Sequence, residues 1–193
     1  VIVVSGLFHV GNRIEIDGMY GDVIDISIFY TTLLEIRGWV HGDQATGRLV
    51  MIPNGVVLSS SVCNYTKDHH FLWDEVVVPI THDSDWRLAV SLFQEVAVRV
   101  TSDFTADARK SLSQLEQRYY FSERTMEPSV FVEVTDNWVS LTIRYVVEAH
   151  QRRVFRSRIM EQVLIVFEKH SEIRIASSTL SISDIPEVTV RRS

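Results

Sequence analysis

Short apolar runs that alternate with polar residues make up the first third of the chain. They cover residues 8–16, 23–33 and 47–55, and a last short run ends at Asn64. Runs rich in β-branched residues and separated by Gly, Asp or Asn-Gly are typical of strands joined by tight turns. The pattern predicts a small, strongly bent antiparallel sheet over residues 1–66, which we interpret as a compact β-barrel or sandwich.

From Trp73 onward the apolar residues follow a different spacing. Residues 73–80 predict a strand. Apolar residues then recur every three or four positions in residues 85–100 and again in residues 107–119, which predicts two helices. Asp83 or Ser84 is a suitable cap for the first of them.

A hairpin and a third helix follow. Strands are predicted over residues 129–135 and 138–147, because Asp136-Asn137 between them is a turn signal. A helix is predicted over residues 151–169 and a strand over residues 172–176. Strand, helix, hairpin, helix, strand is the split β-α-β order of a ferredoxin-like domain, here with an added helical stretch.

These patterns predict an α+β chain divided into four segments. The division gives a β domain over residues 1–66, a polar linker over 67–72, a ferredoxin-like α/β domain over 73–178 and a C-terminal strand or tail over 179–193. Residues 182–190 of this tail predict an extra strand.

Composition and charge narrow the class of protein. The chain has 193 residues, of which 46% are hydrophobic, and a formal charge of −6, so it has enough apolar surface for ordinary cores. Residues 1–100 hold 6 Lys and Arg against 12 Asp and Glu, whereas residues 101–193 hold 13 of each kind. The acidic first part disfavours a phosphate-binding surface there.

The sequence contains no apolar run of eighteen or more residues, the length that a membrane-spanning helix needs. It begins within an apolar run, 1–4, without Met and without the features of a signal peptide. We expect it to be a soluble fragment of a larger protein.

Candidate chemistry is sparse. Cys63 is the single cysteine, so it cannot form an internal disulfide, and we expect a reducing compartment and a small buried side chain. We find neither a Gly-x-Ser-x-Gly motif nor a glycine-rich loop followed by Lys-Ser/Thr. We therefore expect no enzymatic activity, no catalytic residue and no cofactor.

Residues 68–70 (Asp-His-His) and 82–85 (His-Asp-Ser-Asp) contain residue types that ligate metals. Neighbouring residues of an extended chain point to opposite faces, so His69 and His70 would diverge. Helix capping accounts for Asp83 and Asp85. We favour a solvated linker and a helix cap over a metal site.

Four arginines form the one basic cluster, at Arg152, Arg153, Arg156 and Arg158. They could bind RNA or anionic lipid, or bias the ions that gather near them. They could also be the solvated face of an amphipathic helix, which is the commoner arrangement and the one we favour.

The order of several short motifs in the first part is more specific than any of them alone. It resembles the β domain of the small-conductance mechanosensitive channel family, which has an aromatic residue before a Val-Gly-Asp motif, then Gly-x-Val-x-x-Ile, a Thr pair, Ile-Pro-Asn and a closing Asn. The residues that carry the resemblance, with the neighbouring Gly55, are Phe8, Gly11, Asn12, Arg13, Gly21, Thr31, Thr32, Pro53, Asn54, Gly55 and Asn64. Two departures are Asn12, where the family usually has Asp, and residues 35–46, which are longer than the connection of compact members.

The resemblance implies a homo-oligomeric ring, with seven subunits in known members, around a chamber with lateral openings for ions and small solutes. It implies a pore upstream in the cell membrane that tension opens under osmotic stress, with this part of the protein on the cytoplasmic side. Arg13 and Asn54-Gly55 would lie near the pore-lining helix and couple to it. The C-terminal strands would close a small barrel at the base, and residues 35–46 would be an exposed loop on the chamber wall.

Two alternatives remain at this point. The same turns and strands suit an Sm-like barrel, so the chain could be an Sm-like and ferredoxin-like pair that binds RNA as a ring. It could also be an oligomeric scaffold without a transport role. We favour the channel, which implies the partners as further copies of the chain, the membrane and permeating ions, with no nucleic acid.

Overall fold

The computed structural model describes residues 6–118 and 126–177, which form two antiparallel sheets with three helices. The predicted tail over residues 179–193 lies outside the described residues. No helix in the described part of the chain combines the length and the apolar composition needed to cross a lipid bilayer.

The first sheet has five strands in the order β4-β3-β2-β1-β5. The strands are β1 (Arg13–Ile16), β2 (Met19–Ile26), β3 (Tyr30–Ile36), β4 (Ala45–Pro53) and β5 (Val62–Asn64), with a short helix α1 (Asn54–Ser59) between the last two. β4 and β5 are the two edges and are not paired with each other. Within residues 6–118 and 126–177 the sheet is therefore open at both sides, where the sequence led us to expect a barrel or sandwich.

The alternation of apolar residues places one face of this sheet in a core. The buried side chains come from every part of the first sheet and from α1, and they are Phe8, Ile14, Ile16, Val23, Leu33, Ile52 and Val57. Gly21 allows β2 to lie close to β3, since a Cβ there would be 2.8 Å from both the Cβ of Leu33 and the carbonyl oxygen of Leu34. A larger residue at position 21 would push the two strands apart.

Two local predictions in the first sheet were wrong. The run over residues 23–33 is not one strand, because the chain turns where Ser27 donates from both its backbone N–H and its hydroxyl to the carbonyl of Tyr30, at 2.8 and 2.9 Å. Asn54-Gly55 is not a hairpin turn but the start of α1, which follows Pro53 at φ −57°. Proline at that φ directs the chain out of β4.

The second sheet has the order β6-β8-β7. Its strands are β6 (Phe71–Ile80), β7 (Ser129–Val134) and β8 (Val139–Glu148), and its helices are α2 (Trp86–Arg118) and α3 (Arg152–Lys169). Alternate residues of β8, from Leu141 to Val147, pack with Phe93 of α2 and Ile159 of α3 in a second core. Ile175 makes an isolated antiparallel bridge to Ile80 on the outer side of β6.

The structure corrects four element boundaries here. α2 is one helix of 33 residues rather than two, because the polar stretch around Thr101 contains no Gly or Pro and its hydroxyl bonds back to the Ala97 carbonyl at 2.8 Å. Its cap is Asp85, whose Oδ1 accepts from the Leu88 N–H at 3.0 Å. β6 begins at Phe71, inside the predicted linker, and residues 172–176 form a single bridge rather than a strand.

Candidate functional site

The two sheets meet at a polar junction that contains one of the residues marked out by the sequence. Arg13 is 6% exposed and donates to Asp22 through two parallel hydrogen bonds, Nε to Oδ1 at 2.7 Å and Nη2 to Oδ2 at 2.8 Å. Its third nitrogen, Nη1, donates to the carbonyl of Ala149 at 3.0 Å, just beyond the end of β8. Arg13 therefore binds within the first sheet and to the second part of the chain at once.

A second arginine crosses the junction in the opposite direction. Arg152, the first residue of α3, donates through Nη2 to Oδ1 of Asp74 on β6 at 2.8 Å and through Nη1 to Oδ2 of Asp43. Asp43 lies in the loop between β3 and β4, where its Oδ1 accepts from Nε of Arg37 at 2.9 Å. Arg152 is thus held between two carboxylates from different sheets.

Burial and charge act in opposite directions on Arg152. Burial disfavours its charged form, but the hydrogen bond and charge of Asp74, together with Asp43, outweigh that effect and raise the pKa of the guanidinium. Asp74 also accepts from the hydroxyl of the buried Tyr145 at 3.2 Å, and the pKa of Tyr145 is raised by its burial and by the charge of Asp74. The charges at this end of the junction are therefore matched.

An amide network fixes the start of the first sheet. Asn12 accepts from the N–H of His9 at 2.9 Å and donates through Nδ2 to the carbonyl of Thr66 at 3.1 Å. Asn64 donates to Oδ1 of Asn12 at 3.2 Å and to the carbonyl of Leu7 at 2.9 Å. A carboxylate at position 12 could accept these bonds but could not donate to Thr66, so the departure from the family motif here has a structural use.

Asn54 fastens the turn between β2 and β3. Its Nδ2 donates to the carbonyls of Ser27 and Ile28 at 2.9 and 3.0 Å, and its Oδ1 accepts from the hydroxyl of the buried Thr31 at 2.8 Å. The tip of that turn presents Ile28 and Phe29, which are 71% and 72% exposed. The Thr and Asn motifs therefore work together to hold an exposed apolar tip in place.

The other motif residues are distributed over the first sheet. Phe8 lies in the core, Gly11 has φ +93°, and Thr32 is half-buried on β3 opposite Met51. Pro53 ends β4 and Gly55 lies in the first turn of α1, with nothing within 4 Å of the place where a Cβ would lie. These residues therefore form no single site.

Three expectations about side chains are corrected. Arg152 is not part of a solvated helix face, because it is held in the junction by Asp43 and Asp74. Arg153 donates to the carbonyl of His41. Arg156 and Arg158 are exposed, as the sequence predicted. The loop in residues 35–46 is not simply exposed, since the Asp43 side chain is 11% exposed against α3. Cys63 is exposed rather than buried.

Two of the candidate metal ligands have other partners. Asp83 forms an ion pair with Arg174, and Asp85 caps α2. Among the described residues, no three His, Cys, Asp or Glu side chains lie together in a way that could hold a metal ion.

The two carboxylates that bind Arg152 lie far from it in the sequence, and no sequence motif marked them as junction residues. Asp43 and Asp74 look like ordinary loop and strand carboxylates, and they reach Arg152 from 109 and 78 residues away. Three arginines near the start of one helix were visible, but not which of them would be buried.

Comparison with known proteins identifies the first part of the chain. The family described as "Mechanosensitive ion channel, beta-domain" matches residues 1–67. An uncharacterized MscS family protein of Buchnera aphidicola subsp. Baizongia pistaciae is 25% identical over 96 residues, which are 50% of this chain and 31% of that protein. A second such protein, from Buchnera aphidicola subsp. Acyrthosiphon pisum, is 25% identical over 43% of this chain and 24% of its own length. The chain thus corresponds to a third or less of these relatives.

Solved structures share the fold across both sheets. The crystal structure of Helicobacter pylori MscS in its closed state has a TM-score of 0.66 at 21% identity, covering 96% of this chain and 62% of that one. The cryo-EM structure of Arabidopsis thaliana MSL1 has a TM-score of 0.57 at 15% identity, covering 90% and 55%. The likeness extends well beyond residues 1–67, into the second sheet.

Proposed function

We propose that the chain is the cytosolic part of a mechanosensitive ion channel of the MscS type, because residues 1–67 match the family described as "Mechanosensitive ion channel, beta-domain" and the relatives named above are MscS family proteins. It would form the wall of a chamber below a pore in the cell membrane, with lateral openings that filter ions and small solutes. The pore would open under membrane tension and relieve osmotic stress. The work of this part is exclusion and electrostatic bias, with no bond made or broken and no cofactor.

The observation that carries the proposal is the family match together with the open first sheet. β4 and β5 leave two unlike strand edges unpaired. Unpaired edges bind other strands readily, and contact between unlike edges of identical copies generates a ring when the rotation closes. We propose that β4 of one copy lies beside β5 of the next, in a ring of seven as the family resemblance implies.

The exposed apolar residues of the first sheet support a covered surface in the assembly. Leu49 and Met51 on β4 are 56% and 69% exposed, and they lie on the edge that would meet the next copy. Ile28 and Phe29 extend from the turn that Asn54 holds. We propose that this tip, with Arg13 and Gly55, transmits force between the pore-lining segment and the sheet.

The second sheet supports the ferredoxin-like assignment that the sequence predicted. A ferredoxin-like sheet has the strand order 4-1-3-2, and the order here is Ile175, β6, β8, β7, with the outermost strand reduced to one bridge. We propose that this domain, over residues 73–178, is the chamber wall. Similarly, the order β4-β3-β2-β1-β5 suits an opened Sm-like sheet over residues 1–66.

The test uses the full-length protein in its membrane. Patches from cells that express it should show currents that membrane tension opens, and the cells should survive a fall in external osmolarity better than cells without it. Native mass spectrometry of the purified protein should give one closed oligomer. Patches without tension-activated currents, together with a monomeric protein, would refute the proposal.

RNA binding is separated from this function by its dependence on salt. Neither the matched family nor the relatives named above favours it. Binding of single-stranded RNA at 50 and 200 mM salt would have to weaken steeply if arginines such as Arg156 neutralised phosphates. We expect no such binding at either concentration.

A further inference from the structure

The loop between β3 and β4 belongs to the first sheet in sequence but also makes polar contacts with the second part of the chain. We call residues 37–44 the junction loop. It begins with two residues of positive φ, Arg37 at 72° and Gly38 at 51°, which turn the chain away from β3.

One carboxylate of this loop joins three parts of the chain. Asp43 accepts from Arg37 within the loop and from Arg152 at the start of α3, and its side chain is 11% exposed. Its backbone carbonyl accepts from Nη1 of Arg13 at 3.4 Å. The same nitrogen of Arg13 donates to Ala149, so β1, the loop and the end of β8 are linked through one residue.

A second contact joins the same loop to the next residue of α3. Arg153 donates to the carbonyl of His41, and the aliphatic part of its side chain covers Gly42. A Cβ at Gly42 would be 3.1 Å from Cδ of Arg153. The loop backbone therefore lies directly against α3.

The junction is closely packed. The cavity between the two parts, lined by Arg37, Asp43, Leu72 and Ala149 among others, has a volume of only about 10 Å³. That is about the space of one water molecule. The loop and the second domain touch rather than face each other across solvent.

We propose that the junction loop is a latch that fixes the orientation of the second sheet relative to the first, with Asp43 and Arg152 as its positioning residues. The two sheets are joined covalently only by the short segment 65–70. A single short connection does not by itself fix their relative orientation. Rigid relative orientation needs contacts far from that hinge, and the junction loop supplies them. The inference stands whether or not the chain lines a channel.

The latch can be opened without disturbing either fold. In Asp43→Asn, Arg152 keeps its bond to Asp74 and Arg13 keeps its pair with Asp22, so both cores retain their polar partners. The attraction of position 43 for Arg152 across the junction weakens, and so does its pair with Arg37 inside the loop. The variant should therefore change domain orientation more than it changes stability.

The experiment measures the distance between the two parts in the full-length protein. Spin labels are placed at two exposed positions, Asp25→Cys on β2 and Glu168→Cys on α3, in a background in which Cys63 and any cysteine of the full-length protein outside these residues are replaced by Ser. Labelled chains are diluted with unlabelled Cys63→Ser chains so that each assembly carries one labelled copy. Pulsed electron–electron resonance then gives the distribution of distances within one chain.

The latch predicts that Asp43→Asn makes this distribution about twofold broader. The matched control is Glu75→Gln, which removes a carboxylate paired with Arg144 within the second sheet, at 3.1 Å, and should leave the width unchanged. Equal widths for Asp43→Asn, Glu75→Gln and the unsubstituted protein would overturn the proposal.

A milder variant covers the case in which Asp43→Asn does not fold. Arg153→Ala removes an exposed side chain that contacts the loop at the His41 carbonyl and at Gly42. It should also broaden the distribution, though less. A width unchanged from the unsubstituted protein would count against the latch in the same way.

Discussion

Arg13 and Asp22 form a two-pronged ion pair between neighbouring strands, with nitrogen to oxygen distances of 2.7 and 2.8 Å. Arg13 and Asp22 lie directly opposite each other in the antiparallel pairing of β1 with β2. Arg13 is buried, so its positive charge is compensated by the Asp22 carboxylate and by two backbone carbonyls rather than by water.

Replacing Asp22 by Asn should therefore lower the free energy of unfolding by about 2 kcal/mol, since it leaves a buried guanidinium without its counter-charge. Urea unfolding followed by circular dichroism measures this. Asp25→Asn, an exposed carboxylate on the same strand, should change it by less than about 0.5 kcal/mol. Equal effects at both positions would show that the pair contributes little.

Adjacent threonines on β3 offer a matched comparison. Thr31 is fully buried and its hydroxyl donates to Asn54, whereas Thr32 is half-buried on the opposite face. Thr31→Val should lower the free energy of unfolding by about 1 kcal/mol, because Oδ1 of Asn54 loses its donor. Thr32→Val should be nearly neutral, since valine suits a strand. If both variants unfold at the same urea concentration, the hydrogen bond to Asn54 is not significant.

Two glycines with nearly the same φ allow the effect of backbone strain to be distinguished from the effect of a side-chain contact. Gly42 has φ +84° and Gly47 has φ +83°. Ala at either position should be destabilising by about 1 kcal/mol, because alanine rarely adopts such φ values. Only Gly42→Ala should also push Arg153 away, so it alone should increase hydrogen exchange at the start of α3. Identical exchange in the two variants would contradict that contact.

Acid should weaken the first sheet through two carboxylates. A hydrogen bond from Tyr65 holds the pKa of Glu15 below its ordinary value, and a hydrogen bond from Arg48 does the same for Glu35. The unfolded chain then binds more protons than the folded chain as pH falls through the ordinary carboxyl range, so the folded state loses stability there. This contribution is fully present above about pH 5 and declines below it.

Replacing Tyr65 by Phe tests the Glu15 part of this effect. The variant removes the hydroxyl that donates to Glu15 at 2.7 Å, so the change in unfolding free energy between pH 7 and pH 3.5 should be smaller than in the unsubstituted protein. Tyr30→Phe, at an exposed tyrosine, is the control. An unchanged pH dependence in Tyr65→Phe would show that the hydrogen bond from Tyr65 to Glu15 is not a source of the effect.

Local signals predicted much of this fold. The hairpin of β7 and β8 and the helix α3 were placed within about two residues, because a turn dipeptide and a regular apolar spacing lie within each element itself. α2 was divided wrongly since a polar stretch resembles a break, although a helix continues through polar residues that contain no Gly or Pro.

The junction was beyond prediction for a different reason. Arg152 looked like one of several solvent-facing arginines, and its burial depends on where Asp43 and Asp74 come to lie. Those contacts are decided by how two sheets pack, which no local pattern records. The roles of Thr31 and Asn54 were closer to reach, because the family resemblance had marked both positions, but their mutual hydrogen bond needed the structure.

Cys63 lies on β5, one of the two unpaired edges, and is the single thiol of the chain. A maleimide reagent therefore adds one mass increment per chain, and the rate of that addition reports how open the β5 edge is to solvent. Slow modification in the assembled protein and fast modification after dissociation would map the edge as covered, with no substitution anywhere in the sequence.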